Sequence, residues 1–467
     1  MMYYDVVIIG SGPAGQKAAV QAAKSGRTVC VVEQEGRIGG ASVVHGALPT
    51  KVLRENAMRL AQFRQFPELN ALTSPSQVDT DLPRLVNRME AVMGAHSQLI
   101  ENQTNRNLIS RIPGRASLKG RYDVQVERAK GKAVDLQARV IVLACGSVPI
   151  EDENIQIDHE FIFDSESILN MLYLPKSLAV IGDDFHSCEY ASIFQSLGVE
   201  VTFISSKSAP LHSMDHDVQK LYLDNFKSFG GRWLGSRKVT SATAVNGQVV
   251  IELEDDEPVV VEKALASLPR KAYISHLNLG DVGIELTENA FVKVNGLLQT
   301  SVSNIFAAGD CIGSMNLVSV SMEQGRQAIC NAFRIPGSAE NTLVPKVVYA
   351  IPEASSVGLT EYEAAARHKT VVVGMARFSE VVRGQISGGQ QGFLKIVCDD
   401  AGERILGVHI IGENAAELIH IGQMALLNEN TIDIFIESNF NFPTLAEAYR
   451  IAALDVLDQK MKIQDLY

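Results

Sequence analysis

The chain of 467 residues lacks the cysteine patterns that would indicate a metal site or a redox pair. It has six cysteines, at positions 30, 145, 188, 311, 330 and 398. No two of them form a Cys-x-x-Cys pair, and no cluster of cysteine and histidine has the spacing of a zinc site. Most of them lie in apolar surroundings. We therefore predict reduced, buried thiols and no metal site.

Long hydrophobic runs and an excess of basic residues are also missing. No stretch of about 18 apolar residues occurs, so no membrane span is expected. The N-terminus lacks a basic segment followed by an apolar one, which favours a cytoplasmic protein without a secretory signal. The chain has 42 basic and 54 acidic residues, a net charge of −12. Nucleic acids and acidic membranes bind clustered Lys and Arg, so neither is expected as a partner.

What the chain does have is a glycine-rich turn near its N-terminus. An apolar strand predicted at residues 5–9 runs into Gly10-Ser11-Gly12-Pro13-Ala14-Gly15, and a helix of small residues follows. A second strand at residues 29–32 ends in Glu33. In such a unit the glycines let the backbone approach a pyrophosphate, the helix N-terminus binds the phosphates, and the carboxylate binds a ribose hydroxyl. The pattern predicts a dinucleotide-binding domain.

A second unit of this kind begins near residue 177. Strands are predicted at residues 177–181 and 199–204, with a turn at Gly182 and a helix at 189–197 between them. Helices are also expected over residues 55–110, and a buried strand at 139–144. A further buried strand is expected in the run 305–310, which ends in a turn with the carboxylate of Asp310. After about residue 340, strand-like runs at 371–378, 392–398 and 405–411 precede helical stretches at 415–428 and 444–459. This arrangement is typical of an α+β domain. The length alone suggests about three domains.

These elements, in this order, resemble the FAD-dependent pyridine nucleotide–disulfide oxidoreductases over nearly the whole chain. The motifs that carry the resemblance are Gly10 to Gly15, Gly39-Gly40, Pro49-Thr50-Lys51, Ala144-Cys145-Gly146-Ser147, Ala308-Gly309-Asp310, Pro352-Glu353 and Phe442-Pro443-Thr444-Leu445-Ala446-Glu447. Within the family, the closest likeness is to the soluble pyridine nucleotide transhydrogenases, in which an aromatic residue also replaces the catalytic histidine.

The resemblance implies an α/β fold with two Rossmann-like three-layer nucleotide-binding domains plus a C-terminal α+β dimerisation domain. The expected domains are residues 1–150 (first part of the FAD-binding domain), 151–270 (NAD(P)-binding-like), 271–340 (second part of the FAD-binding or central domain) and 341–467 (dimerisation). A homodimer is also implied. In it, the C-terminal domain of one subunit completes the flavin site of the other and places Phe442 and Glu447 across the interface.

The resemblance further implies the residues that serve FAD. Lys51 matches the lysine beside the reactive flavin nitrogen, and Glu189 matches its carboxylate partner. A cation there stabilises the reduced flavin and needs a counter-charge, so these two are the expected catalytic pair, with two unrelated surface charges as the alternative. Asp310 resembles the residue that hydrogen-bonds the ribityl chain. The other expected cofactor-binding residues are Gly10, Gly12, Pro13, Ala14, Gly15, Glu33, Gly40, Ala41, Ala144 and Gly146.

Groups that a disulfide reductase needs are missing from the matching positions. Where the family has two thiols five positions apart, this chain has Ser42 and Ala47. The position of the acid–base histidine holds Phe442, which cannot transfer a proton. Lipoamide, glutathione and mercuric reductase activities are therefore not expected. His45 lies nearby, either as a packing residue or in a catalytic role.

The second nucleotide site also departs from the family pattern. Gly182-Asp183-Asp184-Phe185-His186-Ser187 keeps only the first glycine of G-x-G-x-x-G, and Pro269 replaces the glycine of a usual Gly-Arg pair. Asp183 or Asp184 is expected to cap the helix and to place its carboxylate where the phosphate would lie. Phe185 falls where the family has a gate over the nicotinamide side of the flavin. Ser205-Ser206-Lys207 either favours NADP(H) or is a solvated turn.

Three functions follow from these features. The first is an FAD-dependent oxidoreductase of the transhydrogenase type, which moves hydride between NAD(P)H, FAD and NAD(P)⁺ without a redox disulfide. The second is a flavoprotein reduced by a small-molecule or protein donor other than a pyridine nucleotide, as the two adjacent aspartates would favour. The third is a non-catalytic dimeric scaffold that binds FAD.

Overall fold

The computed structural model describes residues 1–65, 82–336 and 343–464, and in them the chain forms two Rossmann-type units and a C-terminal unit. The N-terminal and middle units are built on largely parallel sheets, and the C-terminal unit is built on an antiparallel one. This architecture confirms the predicted α/β fold class. None of the described helices is both long and apolar enough to cross a membrane.

The N-terminal sheet has seven strands, five of them parallel. Its parallel part has the order Ser110–Pro113, Val29–Glu33, Met2–Ile9, Val134–Leu143 and Ile305–Ala307. Two antiparallel strands, Asp123–Glu127 and Arg115–Leu118, extend it beside the first half of Val134–Leu143. The central strand is apolar at both faces because both are covered, and Val6, Val7 and Ile8 are fully buried. Helices Pro13–Lys24 and Val318–Phe333 cover one face, and the antiparallel strands with residues 272–292 cover the other.

Two late elements complete this first unit. Strand Ile305–Ala307 joins the sheet, and helix Val318–Phe333 packs against helix Pro13–Lys24. Gly325 makes the close contact possible, because a Cβ atom there would lie 2.0 Å from the backbone oxygen of Ala14. Segments from both sides of the middle unit therefore form one nucleotide-binding fold.

Three further helices of the N-terminal part lie on the way to the middle unit. They are Ala41–Val44, Ala47–Gln65 and Leu82–Arg106. The helical prediction for residues 55–110 is thus confirmed in part, because residue 110 begins a strand and residues 66–81 lie outside the described residues.

The middle unit has an all-parallel sheet of five strands. Their order is Arg232–Leu234, Glu200–Ile204, Ser177–Ile181, Lys263–Ala266 and Ile162–Asp164. Helices Phe185–Ser196 and His216–Ser228 follow its strands, and an antiparallel sheet of Val239–Val245, Gln248–Leu253 and Val259–Val261 lies beside it. The prediction of a second βαβ unit is confirmed.

A short antiparallel pair connects the first two units. Ser147–Pro149 pairs with Arg270–Ala272. The chain enters the middle unit through the first of these strands and leaves it through the second, so the pair holds the two connections side by side. It also places Arg270 next to the cavity described below.

The C-terminal unit is an antiparallel sheet covered by helices. Its strands have the order Lys346–Val348, Ala354–Gly358, Ile405–Ile411, Phe393–Cys398 and Val372–Arg377. Its longer helices are Ala415–Leu427 and Glu447–Gln464. Short helices of the described chain are Ile168–Asn170, Leu279–Val282, Asp310–Ile312, Glu361–Ala365, Phe378–Glu380, Val382–Ser387 and Asp433–Glu437.

The domain boundaries at residues 150, 270 and 340 stay predictions. The last of them falls in residues 337–342, which lie outside the described residues. What the structure does give is the place where the units meet, because residues from all of them line one cavity.

Candidate functional site

A cavity of about 1350 Å³ extends between the three units. One end lies at the glycine-rich turn and Glu33, and the other lies at Lys51 and Glu189. Helix Ala415–Leu427 of the C-terminal unit closes part of the inner end with Glu417. A cavity of this size exceeds those that hold ordinary small ligands and has room for a dinucleotide.

The glycine-rich turn leaves the first helix open toward this cavity. Gly10 has a φ angle of +105°, and a Cβ atom there would lie 2.2 Å from the backbone oxygen of Ala144. Gly12 precedes helix Pro13–Lys24 and has no side chain to cap it, and a Cβ atom there would meet no protein atom within 4 Å. The N–H groups of the first helical turn therefore face the cavity, as a phosphate-binding turn requires.

Acidic side chains mark two more points along the cavity. Glu33 accepts the backbone N–H of Ser11 at 2.8 Å, so its carboxylate is fixed at the end of its strand. Asp310 accepts the hydroxyl of Ser147 at 3.2 Å, and Arg270 donates to the same hydroxyl oxygen at 2.8 Å. Both carboxylates line the cavity and are positioned by neighbours from other elements.

Lys51 and Glu189 form an ion pair at the inner end of the cavity. Helix Ala47–Gln65 supplies the lysine and helix Phe185–Ser196 supplies the glutamate. The Nζ atom of Lys51 lies 2.9 Å and 3.1 Å from the two carboxylate oxygens, and Glu189 is 4% exposed. The predicted pair is therefore one interaction across two units rather than two unrelated surface charges.

The surroundings keep the carboxylate of Glu189 ionised. Burial alone would raise the pKa of Glu189, but the charges of Lys51 and His186 and the N–H of Tyr349 hold it below its usual value. The ring of Tyr349 also lies beside the pair, with its centroid 4.8 Å from the Lys51 ammonium. Burial raises the pKa of Tyr349, so this phenol stays neutral.

The second turn is built differently from the first. Asp184 caps helix Phe185–Ser196 by accepting the N–H of Ser187 at 2.8 Å. Its carboxylate also accepts the hydroxyls of Ser187 at 2.5 Å and of Ser267 at 3.0 Å, and it lies 3.3 Å from Nδ1 of His186. Of the two aspartates that could cap this helix, Asp184 is the one that does so.

Asp183 does not cap the helix and turns to the neighbouring strand instead. Its carboxylate accepts the hydroxyls of Ser205 at 2.6 Å and Ser206 at 2.5 Å, and the N–H of Ser206 at 2.8 Å. These hydroxyls were the groups expected to favour a 2′-phosphate. They are bonded to an acid of the same chain, so this geometry does not support a preference for NADP(H).

Comparison with known proteins gives the family. Residues 4–325 match the family described as pyridine nucleotide-disulphide oxidoreductase, and residues 344–453 match its dimerisation domain. The chain belongs to the pyridine nucleotide-disulphide oxidoreductase family. It is accordingly an FAD-dependent oxidoreductase.

Curated relatives and a solved structure resemble the chain over nearly its whole length. A protein named soluble pyridine nucleotide transhydrogenase from Mycobacterium bovis is 34% identical over 461 residues, 98% of each chain. A protein of the same name from Vibrio atlanticus is 33% identical over 466 residues, again 98% of each chain. The crystal structure of LpdA from Mycobacterium tuberculosis superposes with a TM-score of 0.89 at 27% identity, over 97% of this chain and 99% of that one. The likeness to the transhydrogenases that the sequence indicated is confirmed.

The residues of this oxidoreductase fit FAD at the first turn. Of the predicted cofactor-binding residues, all but Gly15 line the cavity. Gly15 lies beneath the turn, where a Cβ atom would lie 2.0 Å from the backbone oxygen of Gly10. Gly40 also approaches the turn, since its Cβ atom would lie 2.7 Å from Cα of Gly12. The predicted roles of these residues in binding FAD are taken up as proposals below.

The positions expected to carry thiols lie in the same cavity. Ser42 and Ala47 both line it, and the hydroxyl of Ser42 donates to the backbone oxygen of Gly39 at 3.0 Å. His45 lines it as well. Phe442, by contrast, is 70% exposed and lies outside the cavity lining of the single chain.

Cys145 is the one cysteine that lines the cavity. The other five cysteines are buried. A hydrogen bond with Cys311 and burial raise the pKa of the Cys145 thiol well above its usual value. Burial raises the pKa of Cys30 and Cys398 to about 12. The prediction of reduced, largely buried thiols agrees with the structure, in which all six cysteines are free and five are buried.

Two contributions to the site were missed from the sequence. The backbone N–H of Tyr349 donates to Glu189 at 2.9 Å, and the imidazole of His186 lies beside Asp184 in the cavity. The position of His186 directly after Phe185 was a usable signal, since Phe185 was already expected to face the flavin. No sequence signal marks a backbone N–H that arrives from another unit.

Proposed function

We propose that this oxidoreductase transfers hydride between NAD(P)H, FAD and NAD(P)⁺, in the manner of a soluble transhydrogenase, without a redox disulfide. The observation that carries the proposal is the buried Lys51–Glu189 pair in a cavity whose thiol positions hold Ser42 and Ala47. The names of the relatives at 33–34% identity support it.

Each residue of the site has a role in this proposal. When bound, FAD supplies a ring that accepts and returns two electrons as hydride. Lys51 places a positive charge where negative charge builds up on that ring, and Glu189 keeps the ammonium in position. Gly10, Gly12 and Pro13 present the helix N-terminus to the pyrophosphate, and the remaining members of the predicted set bind the rest of the cofactor. These members are Ala14, Gly15, Glu33, Gly40, Ala41, Ala144, Gly146 and Asp310.

A homodimer belongs to the same proposal. The chain has the family's dimerisation domain, and several large apolar side chains of that domain are exposed in the single chain. They include Phe442, Met424, Leu454 and Met461, which are 70%, 51%, 44% and 55% exposed. Pairing of two copies would bury these side chains and would place Phe442 beside the partner's cavity. We propose the cytoplasm as its location, which the word soluble in the names of the relatives supports.

Anaerobic reduction tests the main proposal. The FAD-loaded protein is mixed with NADH and then with NADPH while the flavin absorbance is followed, and dithionite serves as the chemical control. Rapid bleaching by either nucleotide, and transfer to a second nucleotide, is the expected result. Bleaching by dithionite alone would rule the proposal out.

A second function is favoured by Asp184. Its carboxylate occupies the helix N-terminus that would bind the pyrophosphate of a second nucleotide. In this alternative the flavin is reduced by another small molecule or by a protein. The same experiment separates the two functions, because the alternative permits a protein that dithionite reduces and both nucleotides leave oxidised, whereas the main proposal does not.

A further inference from the structure

The two nucleotide-type turns of this chain differ in whether the N-terminus of the following helix is open to a phosphate. At the first turn, Gly12 leaves the helix N-terminus facing open cavity. At the second, the carboxylate of Asp184 accepts the N–H of Ser187 at 2.8 Å. Burial alone would raise the pKa of Asp184, but hydrogen bonds from His186 and Ser187 and the charge of His186 lower it, so the group is an anion at neutral pH. The second anion position is therefore filled by an anion that belongs to the chain.

The ribose end of the second unit is also occupied. Ser205 lies as many positions after Gly182 as Glu33 lies after Gly10, so the acid that receives a ribose hydroxyl in the first unit is a serine in the second. Asp183, which corresponds to Ser11, bonds that serine at 2.6 Å. In the second unit the acid therefore stands in the turn and the hydroxyl stands at the end of the strand, the reverse of Ser11 and Glu33. The carboxylate of Asp183 accepts the hydroxyl of Ser205, so neither group is left to bind a ligand.

The inner end of the same site stays open. Phe185, His186 and Glu189 line the cavity together with Lys51. A flat ring that enters here meets the Lys51–Glu189 pair without having to reach the helix N-terminus. Only a ligand that extends along the helix toward Asp183 and Asp184 encounters their carboxylates.

We infer that Asp183 and Asp184 select a dihydronicotinamide that lacks the adenosine diphosphate half, of the class of reduced nicotinamide riboside, over NADH and NADPH. The inference rests on the proposed hydride transfer and names the donor class that the site prefers, with NADH and NADPH kept as slower donors. The pyrophosphate of a dinucleotide would meet the carboxylate of Asp184 at the helix N-terminus, and its adenosine ribose would meet the position that Asp183 and Ser205 occupy. Like charges in contact oppose binding strongly. The riboside carries no phosphate and avoids this repulsion.

The reaction balances with this donor alone. The C4–H bond of the dihydronicotinamide breaks, and a hydride, which is one proton with two electrons, passes to the bound flavin. The ring leaves as a pyridinium cation. No thiol and no separate acid or base is needed, which agrees with Ser42, Ala47 and Phe442 at the positions of the family's thiols and histidine.

Stopped-flow reduction of the FAD-loaded protein without oxygen tests the inference. Reduced nicotinamide riboside, reduced nicotinamide mononucleotide, NADH and NADPH are compared at equal concentrations. We expect the riboside to reduce the flavin at least about tenfold faster than NADH. In Asp184→Gly, reduction by NADH should accelerate by about tenfold or more while the rate with the riboside changes little.

A binding measurement gives a second readout that does not depend on turnover. ADP-ribose carries the pyrophosphate and lacks nicotinamide, so its binding reports the anion position alone. Calorimetry should show at least about tenfold weaker binding to the wild-type holoprotein than to Asp184→Gly, or to Asp183→Ser combined with Asp184→Gly, which restores the residues of the first turn. Thr360→Gly is the matched control, because it removes the side-chain cap of helix Glu361–Ala365 in the C-terminal unit.

Each outcome decides between the ideas. Equal rates for NADH and the riboside in the wild-type protein would overturn the selection, whatever the variants do. An unchanged affinity for ADP-ribose in both variants would show that the carboxylates do not block the site. If no dihydronicotinamide bleaches the flavin while dithionite does, the proposed hydride transfer itself fails, and the selectivity inference fails with it.

Discussion

The backbone N–H of Tyr349 donates to the carboxylate of Glu189 at 2.9 Å. Tyr349 follows strand Lys346–Val348 of the C-terminal unit, whereas Glu189 lies on a helix of the middle unit. Lys51, from the first unit, completes the contact at 2.9 Å. Three parts of the chain thus determine where one ammonium group lies.

Lys51→Met should slow flavin reduction by about 100-fold or more, because the positive charge beside the ring is lost. The variant keeps much of the apolar side chain, so the cavity keeps its shape. Stopped-flow absorbance with the donor identified above measures the rate. Lys293→Met is the matched control, since it breaks an exposed ion pair with Glu285 at 2.8 Å. Equal losses in the two variants would contradict the role of Lys51.

Gly12→Ala should weaken FAD binding by about tenfold or more without unfolding the protein. A methyl group at this position meets no protein atom within 4 Å and points toward the pyrophosphate site. Equilibrium dialysis of the deflavinated protein gives the dissociation constant. Gly94→Ala, on helix Leu82–Arg106, also meets no atom within 4 Å and serves as the control. An unchanged affinity for FAD in Gly12→Ala would show that the pyrophosphate does not bind at this turn.

Lys395→Met should destabilise the chain by about 3 to 5 kcal/mol, because it leaves a buried carboxylate without its cation. Lys395 is 1% exposed and lies 2.9 Å from Asp215, which is 2% exposed. This pair joins the C-terminal sheet to the start of helix His216–Ser228. Denaturant unfolding measures the change. A loss below 1 kcal/mol would show that water reaches Asp215.

The Asp184–His186 contact should make stability fall as the pH rises. Burial lowers the pKa of His186, but the hydrogen bond and charge of Asp184 outweigh it and raise the pKa above its usual 6.5. A raised pKa means that the contact contributes fully below about pH 6.5 and is lost as the pH rises through the folded-state pKa. NMR of ¹⁵N-histidine-labelled protein should show a lower pKa for His186 in Asp184→Asn. No difference would mean that the carboxylate is not its main partner.

The parts of the fold that repeat a periodic pattern could be predicted from sequence. The strands at residues 177–181 and 405–411 have the observed bounds, because buried strands are apolar and end at turn residues. Strand Met2–Ile9 begins earlier than predicted, since its first residues are exposed and carry no hydrophobic signal. Local sequence does not encode where an exposed strand stops pairing.

The candidate site could be predicted wherever a residue acts through its own identity. Lys51, Glu189 and the glycines belong to this class. The bond from Ser205 to Asp183 could not be foreseen, because either aspartate can cap a helix and the choice depends on which hydroxyls the fold brings near. The hydrogen bond from the N–H of Tyr349 to Glu189 could not be predicted either, because any residue except proline supplies a backbone N–H.

The late arrival of strand Ile305–Ala307 and helix Val318–Phe333 affects how the chain emerges from the ribosome. The middle unit is synthesised completely before either element, so it can fold first. At that stage the N-terminal sheet still lacks its last parallel strand, Ile305–Ala307. Until then, the surface of helix Pro13–Lys24 that Gly325 will contact stays uncovered. A nascent chain halted between residues 270 and 304 should therefore expose this surface to chaperones.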